Sequence, residues 1–155
     1  MDNCLKVGTD CSGIEAPIQA LKKMKIEYSH KFSSENDEKC IESLLANYDP
    51  ETLYRDIRKR DNTKKEVEKV DLYVCGFPCQ TFSMAGERKG DRDERGQIFW
   101  YCYDYIKNKK PKYFLLENVK GLLSINNGRT FVEIIESLVD LGIYNVYWEI
   151  LNTKD

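Results

Sequence analysis

Short apolar runs alternate along this chain with segments of helical periodicity, and this alternation limits the fold more than any other feature. The apolar runs are too short for buried helices and are predicted as strands: Leu5–Thr9, Tyr28–Ser33, Asp71–Cys75 and Tyr113–Leu116. Apolar positions at helical spacing predict helices over residues 14–25, 37–48, 98–106 and 131–141. Strands that alternate with helices of about 11 residues predict a doubly wound α/β fold, a mostly parallel sheet with helices on both faces.

Three segments do not follow this pattern. Residues 58–69 mix charges with almost no apolar anchors, which predicts a solvated loop or a short surface helix without a function. Residues 84–96 contain three glycines and eight charges, which is typical of a long mobile loop. Residues 144–150 alternate in polarity and predict a half-buried final strand.

Length and charge limit the functions that this chain can have. Its 155 residues predict one domain over 1–155, and with 41% hydrophobic residues a core is expected. The net charge of −2 gives no overall positive field, so a nucleic-acid partner requires a local patch or a second subunit. No apolar run reaches the ~18 residues of a membrane span and no signal peptide begins at Met1, so we expect a soluble intracellular protein without a membrane partner. The compartment would be the cytoplasm of a prokaryote, or the nucleus or host cell if the source is eukaryotic or viral.

The cysteines are expected to be reduced. Six of them occur at irregular spacing, at positions 4, 11, 40, 75, 79 and 102, and the chain has no Cys-x-x-Cys. His30 is the only histidine, so the usual zinc ligands are missing and no metal is expected. A cysteine hydrolase would have to use His30 as its base, which makes that activity a distant alternative.

Polar residues follow several of the predicted strands, where a doubly wound sheet binds its ligands. The turn Cys11-Ser12-Gly13-Ile14 leads into a helix N-terminus, but a dinucleotide fingerprint needs three glycines, so an ordinary turn and a ligand-binding turn are equally supported. Glu35 follows about 20 residues later, where an acid can accept both ribose hydroxyls of a nucleoside. Asp56 either accepts a hydrogen bond from an adenine amino group or is simply solvated.

The segment from Gly76 to Ser83, Gly-Phe-Pro-Cys-Gln-Thr-Phe-Ser, is more specific. It puts the thiol of Cys79 at a strand end, beside a proline that fixes the backbone. Cys75, Cys40 and Cys102 fall at core-facing positions and are predicted to be inert.

With these motifs the chain resembles the catalytic part of the DNA cytosine-C5 methyltransferases. The resemblance covers nearly the whole chain and is carried by these segments in order: Asp10–Ile14, Glu35–Asp37, Asp56-Ile57, Gly76–Ser83, Arg95-Gly96 and Glu117–Val119. It implies a fold of the S-adenosylmethionine-dependent methyltransferase type, which is Rossmann-like. It also implies methyl transfer from S-adenosylmethionine to C5 of cytosine in DNA, with a role in restriction-modification.

The resemblance assigns the site residues. Cys79 matches the nucleophile, Pro78 and Gln80 its flanking motif, Glu117 the acid that contacts the base, and Asn118 the residue that braces the nucleophile loop. The cofactor site implied by the family comprises Cys11, Ser12, Gly13, Ile14, Glu35, Asn36, Asp56, Ile57, Gly76, Pro78 and Ile98. The residues expected at double-stranded DNA with a flipped cytosine are Ser83, Gly86, Arg88, Lys89 and Arg95.

Three departures from the family pattern modify these expectations. The cofactor loop reads Ile14-Glu15-Ala16 where the family usually has more glycines, and we expect Glu15 to crowd or reshape the methionine end of the cofactor pocket. Asn36 replaces an aromatic residue that often stacks on adenine. The chain ends at Asp155, before the target-recognition domain, so we expect a truncated form: a fragment, one subunit of a split enzyme with a complementing partner, or a degenerate remnant.

Two alternatives to an active DNA methyltransferase stay open. The chain could be a non-catalytic cofactor-binding or partner-docking module of the same descent. It could also methylate cytosine in RNA, although Gly76-Phe77-Pro78 before Cys79 resembles the DNA enzymes more closely.

Overall fold

The computed structural model describes residues 4–78, 98–152 and 154. These residues form two compact units. The first comprises residues 4–78 and 98–117, and the second comprises residues 118–152 and 154. The predicted mobile loop over residues 84–96 lies outside the described residues.

The first unit is built on a parallel sheet. Its five strands, in chain order, are β1 (Leu5–Asp10), β2 (Tyr28–Ser34), β3 (Thr52–Tyr54), β4 (Leu72–Gly76) and β5 (Tyr113–Glu117). They lie in the order β3-β2-β1-β4-β5, and every neighbouring pair is parallel. Its helices are α1 (Ala16–Lys23), α2 (Glu38–Asn47) and α3 (Ile98–Lys109), with a 3₁₀ turn at Ile57–Lys59.

Helices cover both faces of this sheet, which confirms the doubly wound α/β prediction. On one face, Val7 of β1 packs in a buried cluster with Ile18 and Leu21 of α1. On the other face, the ring of Tyr105 in α3 stacks on Tyr73 of β4 with 4.5 Å between ring centroids. Residues that alternate along a strand therefore enter two separate cores.

The helix boundaries follow from local chemistry. The Asp37 side chain accepts a hydrogen bond from the backbone N–H of Cys40 at 3.0 Å and caps α2, as its sequence position predicts. Pro17 is tolerated in the first turn of α1. That helix begins at Ala16 rather than Ile14, because Glu15 has a left-handed backbone with φ 61°.

The prediction of a solvated loop over residues 58–69 holds for most of the segment, which is largely exposed and has no strand or α-helix, but three of its residues are buried. Arg60 and Asn62 are buried, with 6% and 2% of their surfaces exposed, and Val67 is buried too. A charged side chain can leave water when a buried carboxylate pairs with it, and Arg60 has such a partner in Asp10. The exposed segment is therefore anchored to the core of the first unit by its three buried residues.

The second unit contains 3₁₀ turns within Lys120–Gly128 and helix α4 (Arg129–Val139), whose buried side includes Ile134 and Leu138. The predicted strand over residues 144–150 is wrong, because this segment has no regular secondary structure. A strand needs a neighbouring strand for its backbone hydrogen bonds, and the described part of this unit contains none. Instead the Trp148 ring packs edge-on against Phe131 of α4, with centroids 5.1 Å apart.

Among the described residues, no helix combines the length and apolar character needed to cross a membrane.

Candidate functional site

Four neighbouring strands of the first unit end at the same edge of the sheet. β1 ends at Asp10, β2 at Ser34, β4 at Gly76 and β5 at Glu117. The chain order of the strands reverses between β1 and β4, and doubly wound sheets bind their ligands at such a reversal. The segments that follow β1 and β4 therefore form the candidate site.

The turn after β1 is held by its serine. The Ser12 side chain is buried, and its oxygen accepts a hydrogen bond from the backbone N–H of Ser34 at 3.0 Å. Cys11 and Gly13 have left-handed backbones with φ 50° and 53°. A Cβ at Gly13 would find no atom within 4 Å, and Ile14 is 66% exposed. The outer side of the turn is thus open, while its inner side is fixed to β2.

Glu35, just after β2, is oriented by backbone amides. One carboxylate oxygen, Oε2, accepts the N–H of Gly13 at 2.8 Å, and the other accepts the N–H groups of Asn36 and Asp37 at 2.8 and 2.9 Å. A carboxylate has about four acceptor positions, and these three amides occupy three of them. Glu35 therefore ties the turn after β1 to the start of α2 and keeps its remaining acceptor capacity at the sheet edge.

From the sequence, Glu15 is expected to crowd or reshape the methionine end of the cofactor pocket. In the structure its side chain lies beneath the turn and does not crowd the open outer side. Its side chain is fully buried, and its Oε1 accepts hydrogen bonds from Thr9 Oγ1 at 2.7 Å and Ser33 Oγ at 2.5 Å. His30 Nε2 lies 3.4 Å from the same oxygen. These contacts explain how a glutamate occupies a left-handed position that usually favours glycine, because they offset its backbone strain. Sequence reasoning found the unusual residue but not the direction of its side chain.

The predicted adenine-side residues lie at the next strand end. The Asp56 carboxylate binds its own neighbour Arg58, which donates from its backbone N–H at 3.0 Å and from Nε at 2.9 Å. The hydrogen bond from the Arg58 side chain lowers the pKa of Asp56 and keeps it ionised. Ile57 is buried with 6% exposure, whereas Asn36 is exposed.

The ends of β4 and β5 bring Gly76 and Glu117 together. These two residues are paired in the strand register. A Cβ built at Gly76 would lie 3.3 Å from Glu117 Oε2, so the glycine leaves room for the exposed carboxylate. The exposed Pro78 follows within two residues. Ile98, at the first position of α3, is half-buried.

The remaining predicted residues are only partly described. Asn118 opens the second unit, and its side-chain oxygen accepts the backbone N–H of Val119 at 2.9 Å. The other predicted catalytic and DNA-contacting residues lie outside the described residues: Cys79, Gln80, Ser83, Gly86, Arg88, Lys89 and Arg95. Their roles stay predictions.

A buried ion pair that sequence reasoning missed supports the end of β1. Arg60 donates from Nη1 and Nη2 to the two oxygens of Asp10, at 2.7 and 2.6 Å, and both side chains are fully buried. Tyr73 donates a further hydrogen bond to Asp10. Burial opposes the charge on Arg60, but the adjacent Asp10 outweighs it and raises the pKa of the guanidinium. No sequence signal marks Arg60, because it lies in a run of mixed charges.

Within the described ranges, no group of three or more histidine, cysteine or acidic side chains is arranged to hold a metal ion.

Comparison with known proteins identifies the family. The model of the C-5 cytosine-specific DNA methylase family matches residues 10–155. The chain belongs to this family. Similar members are the orphan methyltransferase M.Rho11sI of Bacillus phage rho11s, 41% identical over 97% of this chain, and the type II methyltransferase M.NlaIV of Neisseria lactamica, 40% identical over 88%. The chain spans only 30% and 33% of the lengths of these two C-5 methylase relatives.

A solved structure supports the fold of this C-5 methylase chain. The crystal structure of S. pombe Dnmt2 methyltransferase superposes with a TM-score of 0.69, covering 85% of this chain and 41% of that one, at 23% identity. At this identity the likeness establishes the Rossmann-like fold alone.

Proposed function

We propose that this chain is the cofactor-binding and catalytic part of an S-adenosylmethionine-dependent methyltransferase that acts on C5 of cytosine in DNA. The observation that carries the proposal is the approach of Glu117 to Gly76. It brings a solvent-exposed carboxylate to the strand end from which the chain runs through Pro78 to Cys79. In the sequence Cys79 follows the end of β4 by three residues, and an acid and a thiol are the two groups that addition to a cytosine ring requires.

The turn after β1 and the Glu35 carboxylate fit an S-adenosylmethionine molecule. The open space beside Gly13 leaves room for a ligand against the backbone, and Glu35 is held ready by three amides to accept a ribose hydroxyl. Asp56 and Asn36 are the candidates for the adenine side, and exposed Ile14 offers apolar contact. When bound, the cofactor supplies an electrophilic methyl group. Ser12 acts indirectly, because its hydroxyl is committed to holding the turn.

Cys79 and Glu117 perform the chemistry in this proposal. The C5 atom of cytosine is a poor nucleophile, so the Cys79 thiolate first forms a bond to C6. Glu117 stabilises the added electrons through a hydrogen bond or proton transfer at N3, which makes C5 nucleophilic. After C5 has gained the methyl group and lost its proton, the bond between C6 and the Cys79 sulfur breaks and the thiolate leaves. The base must be out of the DNA stack for either residue to reach it.

DNA recognition is proposed to need polypeptide beyond these 155 residues, in the same chain or in a complementing subunit. The net charge of −2 offers little counterion release on DNA binding, and the curated relatives are about three times longer. Gln80 is proposed to flank the nucleophile and Asn118 to brace its loop, while Gly86 is proposed to lie at the DNA. Ser83, Arg88, Lys89 and Arg95 remain the candidate DNA contacts within this chain.

Cofactor binding is tested by isothermal titration of the chain with S-adenosylmethionine. Glu35→Ala should weaken binding by about 1–3 kcal/mol, the cost expected for charge-assisted hydrogen bonds. Glu38→Ala is the matched control, since Glu38 lies three residues away and pairs with the exposed Arg55. Equal affinities of the two variants would refute the assignment of Glu35.

Catalysis is tested by methyl transfer to cytosine-containing duplex DNA, with the chain alone and with the remaining two thirds of a relative such as M.NlaIV added. We expect little transfer by the chain alone, turnover after addition, and its loss in Cys79→Ser but not in Cys40→Ser. Efficient sequence-specific methylation by the isolated chain would overturn the proposed need for a second part. Turnover that survives Cys79→Ser would overturn the assignment of Cys79 as the nucleophile.

A further inference from the structure

Three cysteines that the proposed chemistry does not use form a continuous group in the first unit. The sulfur atoms of Cys75 and Cys102 are 3.1 Å apart, and both side chains are completely buried. Cys75 lies in β4 and Cys102 in α3, so the two thiols join the sheet to a helix that covers it. Both are free thiols.

Cys11 extends this group toward the surface. It follows Asp10, which is paired with Cys75 in the strand register, so Cys11 and Cys75 lie at neighbouring strand ends. Cys11 itself is only half-buried. The group thus extends from the open turn after β1, which holds Cys11, to the buried pair of Cys75 and Cys102.

We propose that Cys75 and Cys102 are an oxidation site, which forms a reversible disulfide when a peroxide oxidises Cys11. A disulfide requires sulfur atoms about 2.05 Å apart, so the two buried sulfurs have to approach by only about 1 Å. Side-chain rotation and small backbone shifts can supply such a movement. The proposal concerns the thiols alone and does not depend on the proposed methyl transfer.

The steps balance with hydrogen peroxide as the oxidant. The Cys11 thiolate attacks the peroxide, the O–O bond breaks, and Cys11 becomes a sulfenic acid as one water leaves. The Cys75 sulfur displaces the hydroxyl group as a second water, giving a Cys11–Cys75 disulfide. Cys102 then attacks the Cys75 sulfur and releases Cys11 as a thiol. In total, two thiols lose two electrons and two protons, and one peroxide becomes two waters.

Burial explains why Cys11 has to be oxidised first. Desolvation raises the pKa of Cys75 well above its ordinary value, so its reactive thiolate is scarce. The buried pair is also closed to solvent, whereas Cys11 in the turn is only half-buried. The 3.1 Å contact between the Cys75 and Cys102 sulfur atoms then compensates for their low reactivity by holding the reacting atoms together.

The experiment is peroxide treatment of the folded chain, followed by alkylation in denaturant, trypsin digestion and mass spectrometry. Cys102 falls in the peptide 96–107, while Cys75 and Cys79 share the peptide 70–88. The two peptides should appear joined, about 2 Da lighter than the sum of 96–107 and of 70–88 with one alkylated cysteine, and should separate on reduction. Because the peptide 70–88 contains two cysteines, the same treatment is applied to Cys79→Ser.

The linked peptides should persist in Cys79→Ser, form several-fold more slowly in Cys11→Ser, and form at the original rate in Cys40→Ser. Circular dichroism before treatment verifies that each variant is folded. Absence of the linked pair in the unmodified chain, or its loss in Cys79→Ser, would overturn the oxidation site. An unchanged rate in Cys11→Ser would overturn the route through Cys11. The experiment contains neither cofactor nor DNA, so failure of the proposed function cannot cause its failure.

Discussion

Replacing Arg60 by methionine tests whether the buried ion pair holds the end of β1 in place. Methionine keeps much of the length and apolar volume of the side chain but removes the charge. The change deletes two hydrogen bonds to Asp10 and one to Asn62. It also removes a guanidinium that lies 4.9 to 5.1 Å from the centroids of three aromatic rings, those of Phe32, Tyr54 and Tyr105.

The size of the destabilisation follows from the contacts that Asp10 keeps when Arg60 is replaced. Asp10 would be a fully buried carboxylate that keeps the hydrogen bond from the Tyr73 hydroxyl but has lost its cation. Removing one member of a buried pair costs about 3–5 kcal/mol, against a total stability of about 5–15 kcal/mol for a domain. We therefore expect Arg60→Met to lower the free energy of unfolding by about 3–5 kcal/mol.

Urea denaturation followed by circular dichroism measures this change. The matched control is Arg55→Met, which breaks the pair between Arg55 and Glu38, whose side chains are 59% and 71% exposed. An exposed pair contributes about 0–1 kcal/mol, so the control should stay close to the parent protein. The double variant Asp10→Leu/Arg60→Met should be less destabilised than Arg60→Met alone, because no isolated charge is left buried.

Equal stabilities of Arg60→Met and Arg55→Met would refute this reasoning. They would mean that Asp10 finds water or another partner when Arg60 is absent. The reasoning would also be refuted if the double variant lost as much unfolding free energy as the two single variants lose together. Residues that form one pair must show a coupling energy.

Two further predictions concern packing and pH. Gly8→Ala should destabilise the chain by about 1–3 kcal/mol in urea denaturation, because its Cβ would overlap the Phe32 ring. The pKa of Asp71 is lowered, mainly by its hydrogen bond with Lys112, so its contribution to stability is present above about pH 4 and is lost as the pH falls through the lowered pKa. Asp71→Asn should therefore reduce the loss of stability between neutral and acid pH, measured as the melting temperature.

Each of these predictions has an internal control. A Cβ at Gly121 would meet Val119 Cγ2 at an ordinary 3.8 Å, so Gly121→Ala should be close to neutral, and equal costs at Gly8 and Gly121 would contradict the steric argument. Asp49 is exposed, and Asp49→Asn should leave the acid dependence unchanged. The same pH profile for both aspartate variants would contradict the role of Asp71.

The sequence alone determined the alternation of strands and helices and the residues at the strand ends. Period and run length are local properties, so Leu5–Asp10, Glu38–Asn47 and Tyr113–Glu117 were found within one or two residues. A parallel sheet then brings all strand ends to one edge, which is why Glu35 and Glu117 could be predicted there from the sequence. The motif around Cys79 gave the family, which the comparison with known proteins confirms.

Only the tertiary structure decided which polar residues are buried. The local sequence does not show that Arg60 and Glu15 are buried, because their partners Asp10 and Ser33 are 50 and 18 residues away in the chain. Residues 144–150 have the alternation of a strand but no described neighbouring strand to pair with. The physical reason is the same in each case: burial of a charge and formation of a strand depend on partners distant in sequence, which a local pattern does not contain.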